Sequence, residues 1–156
     1  MANAGDAGRF VNLRFKPLDL YADAVREFCS SFARATFEEP GLGERVRLVV
    51  HELVENAIKY GDDELELRIE CSDADVVVRV TNTASEARSK SLRQTFEALM
   101  RIPAHEAYAE ALRAAASLPH KEAKVGLSRI RYEGQVDLHL DLSPGKVSVT
   151  ARGTAA

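Results

Sequence analysis

Five short stretches of this chain change character at every second residue, and that period restricts the fold more than any other feature. Val11, Leu13 and Phe15 alternate with Asn12, Arg14 and Lys16. Leu65, Leu67, Ile69 and Cys71 alternate with charged residues, and Val136, Leu138, Leu140 and Leu142 with polar ones. After the turn sequence Ser143-Pro144-Gly145-Lys146, Val147, Val149 and Ala151 alternate back, a hairpin signature. A two-residue period puts all apolar side chains on one side of a strand, so these segments need one covered face. Val76 to Thr81 differs: Val77 interrupts the alternation, which suggests cover on both faces there.

Helical spacing fills the intervals. Asp19 is placed to cap a helix in which Leu20, Ala24, Phe28 and Phe32 recur. Glu38 to Glu44 has loop composition, and a second helix is expected over 44–60, stopped by Gly61. Leu92, Phe96 and Leu99 form one stripe, Pro103 breaks it, and Tyr108, Leu112 and Ala115 form another. That pattern predicts a helical hairpin over about 86–118. Val125 to Tyr132 predicts a short helix that ends by Gly134. Strand pairs separated by helices predict an α/β (α+β) two-layer sandwich, with one mixed or antiparallel sheet and helices on one face. The other face would be partly open or covered by a partner. The expected organisation is one domain over 9–152 after a disordered 1–8 segment.

At 156 residues the chain can bury a core without staples. A net charge of −3 and scattered basic residues give no electrostatic case for nucleic acid. No apolar run is long enough to span a bilayer, and the start carries no apolar leader segment. Cys29 and Cys71 are far apart in sequence and lie on apolar sides, so both are expected as buried free thiols in a reducing, cytoplasmic compartment. His105, His120 and His139 lack metal-ligand spacing, and His51 is expected at the surface. Arg129 and Arg131 fit a solvated helix face.

The helix over 44–60, ERVRLVVHELVENAIKY, carries the functional signal. Val46, Val50, Leu53 and Ala57 define its core face, with Glu52, Glu55 and Lys59 on the opposite arc and Asn56 at the border. Glu52 and Asn56 are neighbours at i and i+4. A carboxylate there can take a proton from an attacking group, an amide oxygen can ligate a hard cation, and Lys59 can meet a phosphate. By spacing alone such residues on the outer arc of an amphipathic helix are usually a plain solvent face.

The segment His51 to Gly61, HELVENAIKYG, closely resembles the N-box of the GHKL superfamily, which includes gyrase, heat-shock chaperone, histidine kinase and mismatch-repair ATPases. From about Arg9 to Arg152 the element order is most similar to the stand-alone serine kinases that act as bacterial anti-sigma factors. The resemblance implies the Bergerat-type ATP-binding fold with ATP and Mg²⁺ as cofactors. It makes Asn56 the Mg²⁺ ligand, Glu52 the catalytic general base and Lys59 a neighbour of the phosphates. The implied partner is a sigma factor or a small anti-anti-sigma-like protein. A homodimer is compatible with it.

Two glycine boxes depart from the family pattern. Where the first has D-x-G-x-G, this chain has Asn82 for the aspartate, Ala84 for the first glycine and Glu86 for the second. An amide still accepts a hydrogen bond from an adenine amino group, but without charge assistance. Where the second has G-x-G-L, the chain has Lys124-Val125-Gly126-Leu127, so Lys124 replaces a glycine while Gly126 and Leu127 match. Lys124 could help bind phosphate or fill its space. The usual flexible lid is replaced by the expected helical hairpin. Two functions follow from the resemblance: a serine/threonine protein kinase of the anti-sigma type, and a pseudo-ATPase that binds partners with weak or no nucleotide binding.

Overall fold

The computed structural model describes residues 8–37, 39–60, 63–117 and 125–155. Strand β1 (Arg9–Phe15) is followed by helices α1 (Asp19–Thr36) and α2 (Leu42–Tyr60), then strands β2 (Leu65–Cys71) and β3 (Asp75–Thr83). Helices α3 (Glu86–Met100), α4 (Ala104–Ser117) and α5 (Val125–Tyr132) precede the hairpin of β4 (Asp137–Ser143) and β5 (Lys146–Thr154). The sheet order is β1-β2-β3-β5-β4, and every pairing is antiparallel, which decides between the mixed and antiparallel alternatives. Gly61, the expected stop of the second helix, lies outside the described residues, as do 1–7 and 118–124.

Alternation along the strands becomes a single buried face. Leu65, Leu67, Ile69 and Cys71 of β2, Val76, Val78 and Val80 of β3, Ala151 of β5 and Leu138 of β4 all point into the core. From the helical layer Val46, Val50, Leu53 and Ala57 meet them, as the spacing of α2 predicts, joined by Val49 and Val54. Among these, Val50, Val54, Leu65, Leu67 and Ile69 have no exposed surface.

The opposite sheet face is polar and knit by cross-strand contacts. Arg68 stacks over the Phe10 ring at 4.1 Å, Arg79 donates to Thr150, Thr81 bonds Ser148, and Arg152 pairs with Asp75. Val77 sits on this outer face and is only half-buried, so β3 is not covered on both sides as its valines suggested.

Three further expectations shift. Helix α1 buries Ala22, Cys29, Ser30 and Ala33, whereas Leu20, Ala24 and Phe28 of the apparent stripe face outward. The small residues sit where α1 packs closely on α2, and the bulky ones are displaced to its flank. Asp19 is the first helical residue rather than the cap: Leu18 holds that position without a side-chain bond, and Asp19 contributes a favourable charge to the first turn. The loop after α1 ends at Gly41, whose φ of 88° suits glycine, and α2 begins at Leu42 rather than Glu44.

The 86–118 segment folds as two helices through Ser117, on either side of the Pro103 break. Leu92, Phe96 and Leu99 face the core. In α4 the inward side is Ala107, with Tyr108, Ala111 and Ala115 half-buried, while Leu112 is exposed. Alanines let α4 lie close on α5, and Leu112 falls outside that contact.

Candidate functional site

Where the C-terminal half of α2 passes over β3 and β5, a cavity of about 410 Å³ opens between sheet, α2 and α3. Val80, Val147 and Val149 form its floor, and Leu53, Asn56, Ala57 and Lys59 of α2 form one wall. Asn82 and Ala84 lie at the end of β3, and Gly126 and Leu127 at the start of α5. Arg88, Ser91, Leu92 and Thr95 of α3 close the remaining side. The floor is apolar and polar groups stand at its edges, which is the usual build of a small-molecule site.

Asn82 is nearly buried, at 9% exposure, and its Nδ2 donates to the Thr83 carbonyl at 3.2 Å. That bond engages one of the amide's two N–H donors, and Oδ1 is its acceptor. Ala84 is fixed by its own N–H, which donates to the Gly145 carbonyl in the β4–β5 turn at 3.1 Å. Lys59 is exposed, Asn56 is half-buried, and Leu127 is buried. Lys124 lies outside the described residues.

Glu52 does not stand on an open outer arc. Its side chain is 15% exposed and is covered by α5. A Cβ added at Gly126 would come within 2.5 Å of Glu52 Oε2, so the glycine leaves room for the carboxylate. Oε1 accepts from Arg129 Nη1 at 3.2 Å. Asn56, Asn82, Ala84, Gly126, Leu127 and Lys59 therefore share one cavity, and Glu52 lies behind Gly126 rather than in its lining.

Arg129 and Arg131 are not a solvated face. Arg129 Nε also donates to Glu133 Oε2 at 3.0 Å, and Tyr108 of α4 donates to Glu133 Oε1 at 2.9 Å. The hydrogen bonds from Arg129 and then Tyr108 lower the Glu133 pKa. The hydrogen bond with Glu133, outweighing desolvation, raises that of Arg129. The Tyr108 pKa rises, first because its phenol donates to that carboxylate and then through burial. Arg131 Nη1 donates to the carbonyls of Leu99 and Ile102 at 2.8 and 2.7 Å, where α3 ends. Sequence reasoning missed these roles because all the partners but Glu133 are remote in sequence: Glu52 is 77 positions from Arg129, and Leu99 and Ile102 are 32 and 29 from Arg131. It also missed Arg88, Ser91 and Thr95, whose spacing on one helical face was available as a signal.

His51 is half-buried and shares a 3.2 Å hydrogen bond with Arg26. Among the described residues no cluster of His, Cys, Asp and Glu could hold a metal, and no helix is long and apolar enough to cross a membrane. Cys29 and Cys71 are buried and unpaired, as expected.

The family model described as histidine kinase-, DNA gyrase B- and HSP90-like ATPase matches residues 41–128. That span runs from the start of α2 through the cavity-lining part of α5 and covers more than half of the chain. The chain belongs to this ATPase family. Over 91% of its length it is similar in fold to a chain of the SiaB–SiaC complex from Pseudomonas aeruginosa, with a TM-score of 0.64, 19% identity and 89% of that chain covered. A comparison with curated proteins finds no match.

Proposed function

We propose that this ATPase-family domain binds a Mg²⁺–adenine nucleotide in the cavity over β3 and β5 and acts on a protein partner as a serine/threonine kinase of the anti-sigma type. The observation that carries the reading is convergence: Asn56, Lys59, Asn82 and Gly126 come from three separate segments and line one space. The residues present fit the group. The valine floor and Leu53 accept a purine face, and the Asn82 carbonyl oxygen can accept from an exocyclic amino group. Asn56 supplies an amide oxygen for a hard cation, and Lys59 and Arg88 supply positive charge at the rim. Mg²⁺, when bound, would neutralise phosphate charge beside Asn56.

Binding should be weak. Asn82 lacks the charge of an aspartate, and Ala84 puts a methyl where the family pattern has glycine. Two such losses of about 1.4 kcal/mol each reduce affinity roughly a hundredfold. The structural neighbour was crystallised as a complex of two proteins, which supports a protein as the partner here. A sigma factor or a small anti-anti-sigma-like protein fits the kinase reading. The second reading, a pseudo-ATPase that binds partners without turnover, is favoured by one specific contact, the bond that ties Glu52 to Arg129.

Calorimetric titration with Mg-ATP and Mg-ADP tests the proposal. Binding between micromolar and millimolar, abolished by Asn56→Ala, is expected. No heat at millimolar nucleotide would refute it. Transfer of phosphate to a co-purified partner, lost in Glu52→Gln, separates the kinase from the pseudo-ATPase.

A further inference from the structure

Four side chains, from α4, α2, α5 and the turn just past α5, form a continuous chain of polar contacts between α4 and the interior edge of α2. Tyr108 donates to Glu133, Glu133 accepts from Arg129, and Arg129 donates to Glu52. The links measure 2.9, 3.0 and 3.2 Å. Tyr108 is also held by the Tyr132 ring, with centroids 5.6 Å apart.

We infer that this chain is a latch, with Arg129 as a positioning residue that holds the Glu52 carboxylate behind Gly126 while α4 is docked on α5. Its consequence for turnover rests on the nucleotide reading above; its mechanical part does not. Three features support it. First, Glu52 is the most buried of the ion-paired members, at 15% exposure, while Arg129 and Glu133 are 41% and 38% exposed, so the chain ties partly exposed groups to an inner carboxylate. Second, Gly126 leaves the Glu52 carboxylate a seat that any larger residue would contest. Third, the two arginines of α5 grip the hairpin at different places. Arg131 bonds the α3 end at Leu99 and Ile102, near Pro103, and Arg129 reaches Tyr108 of α4 through Glu133. The first grip fixes the bend of the hairpin, and the second can open while the bend stays in place.

Coupling of this kind is reciprocal: if α4 docking biases Glu52, then changing Glu52 must bias α4. A partner that draws α4 off α5 removes Tyr108 from Glu133, frees Arg129 to turn outward, and leaves the Glu52 carboxylate without its guanidinium.

Amide hydrogen exchange of the full chain, without nucleotide, tests the latch directly. Glu52→Gln and Arg129→Gln should each raise exchange in 104–117 by about two- to fivefold, in the range of a partly exposed ion-pair network, with β2 and β3 unchanged. Tyr108→Phe, which removes one hydroxyl and keeps the ring stack, should do the same and guards against a variant that fails to fold. Arg113→Gln, an exposed change on α4, is the control. If Glu52→Gln leaves exchange in 104–117 at the control level, the latch is wrong. Turnover forms the second arm: Tyr108→Phe and Arg129→Gln should raise kcat by about two- to fivefold at unchanged Mg-ATP affinity. Unchanged or lower kcat with nucleotide bound overturns the restraining role of Arg129. Absence of nucleotide binding in the parent chain, with the exchange coupling intact, rejects the nucleotide reading and leaves the latch standing.

Discussion

The two walls of the cavity are built by different physics. On one side α2 lies on the sheet through Val46, Val49, Val50, Leu53, Val54 and Ala57, all at most 5% exposed, against strands whose inner residues are equally buried. On the other side the α3–α4 hairpin buries only Phe96 and Ala107 among its described residues, and α5 secures it with hydrogen bonds from Arg131 and a polar chain through Glu133. A wall held by apolar area opens only when the fold does. A wall held by little buried area and a few polar contacts opens at lower cost, and elements that regulate are drawn from that less stable class. The site thus joins a fixed half, which carries Asn56 and Asn82, to a releasable half, which carries Arg88, Ser91 and Thr95.

The largest effect expected of any change falls on the fixed half. Leu53 is 2% exposed at the junction of α2, β3 and the cavity. Leu53→Ala should destabilise the whole molecule by about 2–5 kcal/mol, seen as a lower denaturant midpoint for every probe. A loss confined to the hairpin would erase the distinction between the walls.

Next comes the releasable half. Arg131→Ala removes two charge-assisted bonds to backbone carbonyls, at 2.8 and 2.7 Å. The expected cost is about 1.5–3 kcal/mol, felt as faster exchange in 86–117 with the sheet protected. If the sheet amides lose protection equally, hairpin and core form one cooperative unit.

The thiols sharpen the same contrast, because both lie on the fixed side, in α1 and β2. Burial pushes Cys29 up to about 12, with a smaller contribution from Cys71. Burial pushes Cys71 up to about 11, opposed by Arg9. A folded pKa above the unfolded value means that the stabilisation is complete below about pH 9 and is lost as pH rises through 11 to 12. One pH unit above the ordinary thiol value, each cysteine should cost the fold about 1.4 kcal/mol. Denaturation midpoints from pH 8 to 11 should fall more gently in Cys29→Ala/Cys71→Ala than in the parent chain. Parallel curves would mean that the thiols ionise without unfolding.

Much of this was legible in the sequence, and the parts that were not share a cause. Alternation located the strands and their buried face, because period two is a local property that the sheet only confirms. The core face of α2 was equally legible from Val46, Val50, Leu53 and Ala57. For α1 the same method chose Leu20, Ala24 and Phe28, since it follows apolar residues at helical spacing. Close helix packing instead selected Ala22, Cys29, Ser30 and Ala33. At the site, Asn56, Asn82 and Gly126 came together through the family resemblance, which encodes three-dimensional placement that spacing lacks. Arg129 was misjudged because its meaning depends on Glu52, 77 positions away, and on a residue of α4 that no local pattern connects to it.

The smallest effect expected is also the most specific, and it concerns the fixed wall alone. Asn82→Asp restores the acidic residue of the family pattern at a position 9% exposed, with the Thr83 carbonyl 3.2 Å from the amide nitrogen. Two consequences oppose each other. Without ligand, a carboxylate replaces the Nδ2 donor beside that carbonyl and loses hydration, so the free protein should become slightly less stable. With an adenine nucleotide bound, the hydrogen bond from the exocyclic amino group becomes charge-assisted, about twice as strong as its neutral counterpart. The gain should reach at most tenfold in Mg-ATP affinity, or about 1.4 kcal/mol. It should be absent for Mg-GTP, which presents a carbonyl where adenine presents the amino group. Calorimetry with both nucleotides on parent and variant decides the matter. A gain for ATP alone places the purine edge at Asn82. Equal changes for both nucleotides would mean that the base lies elsewhere in the cavity and that Asn82 belongs to the wall, not to recognition.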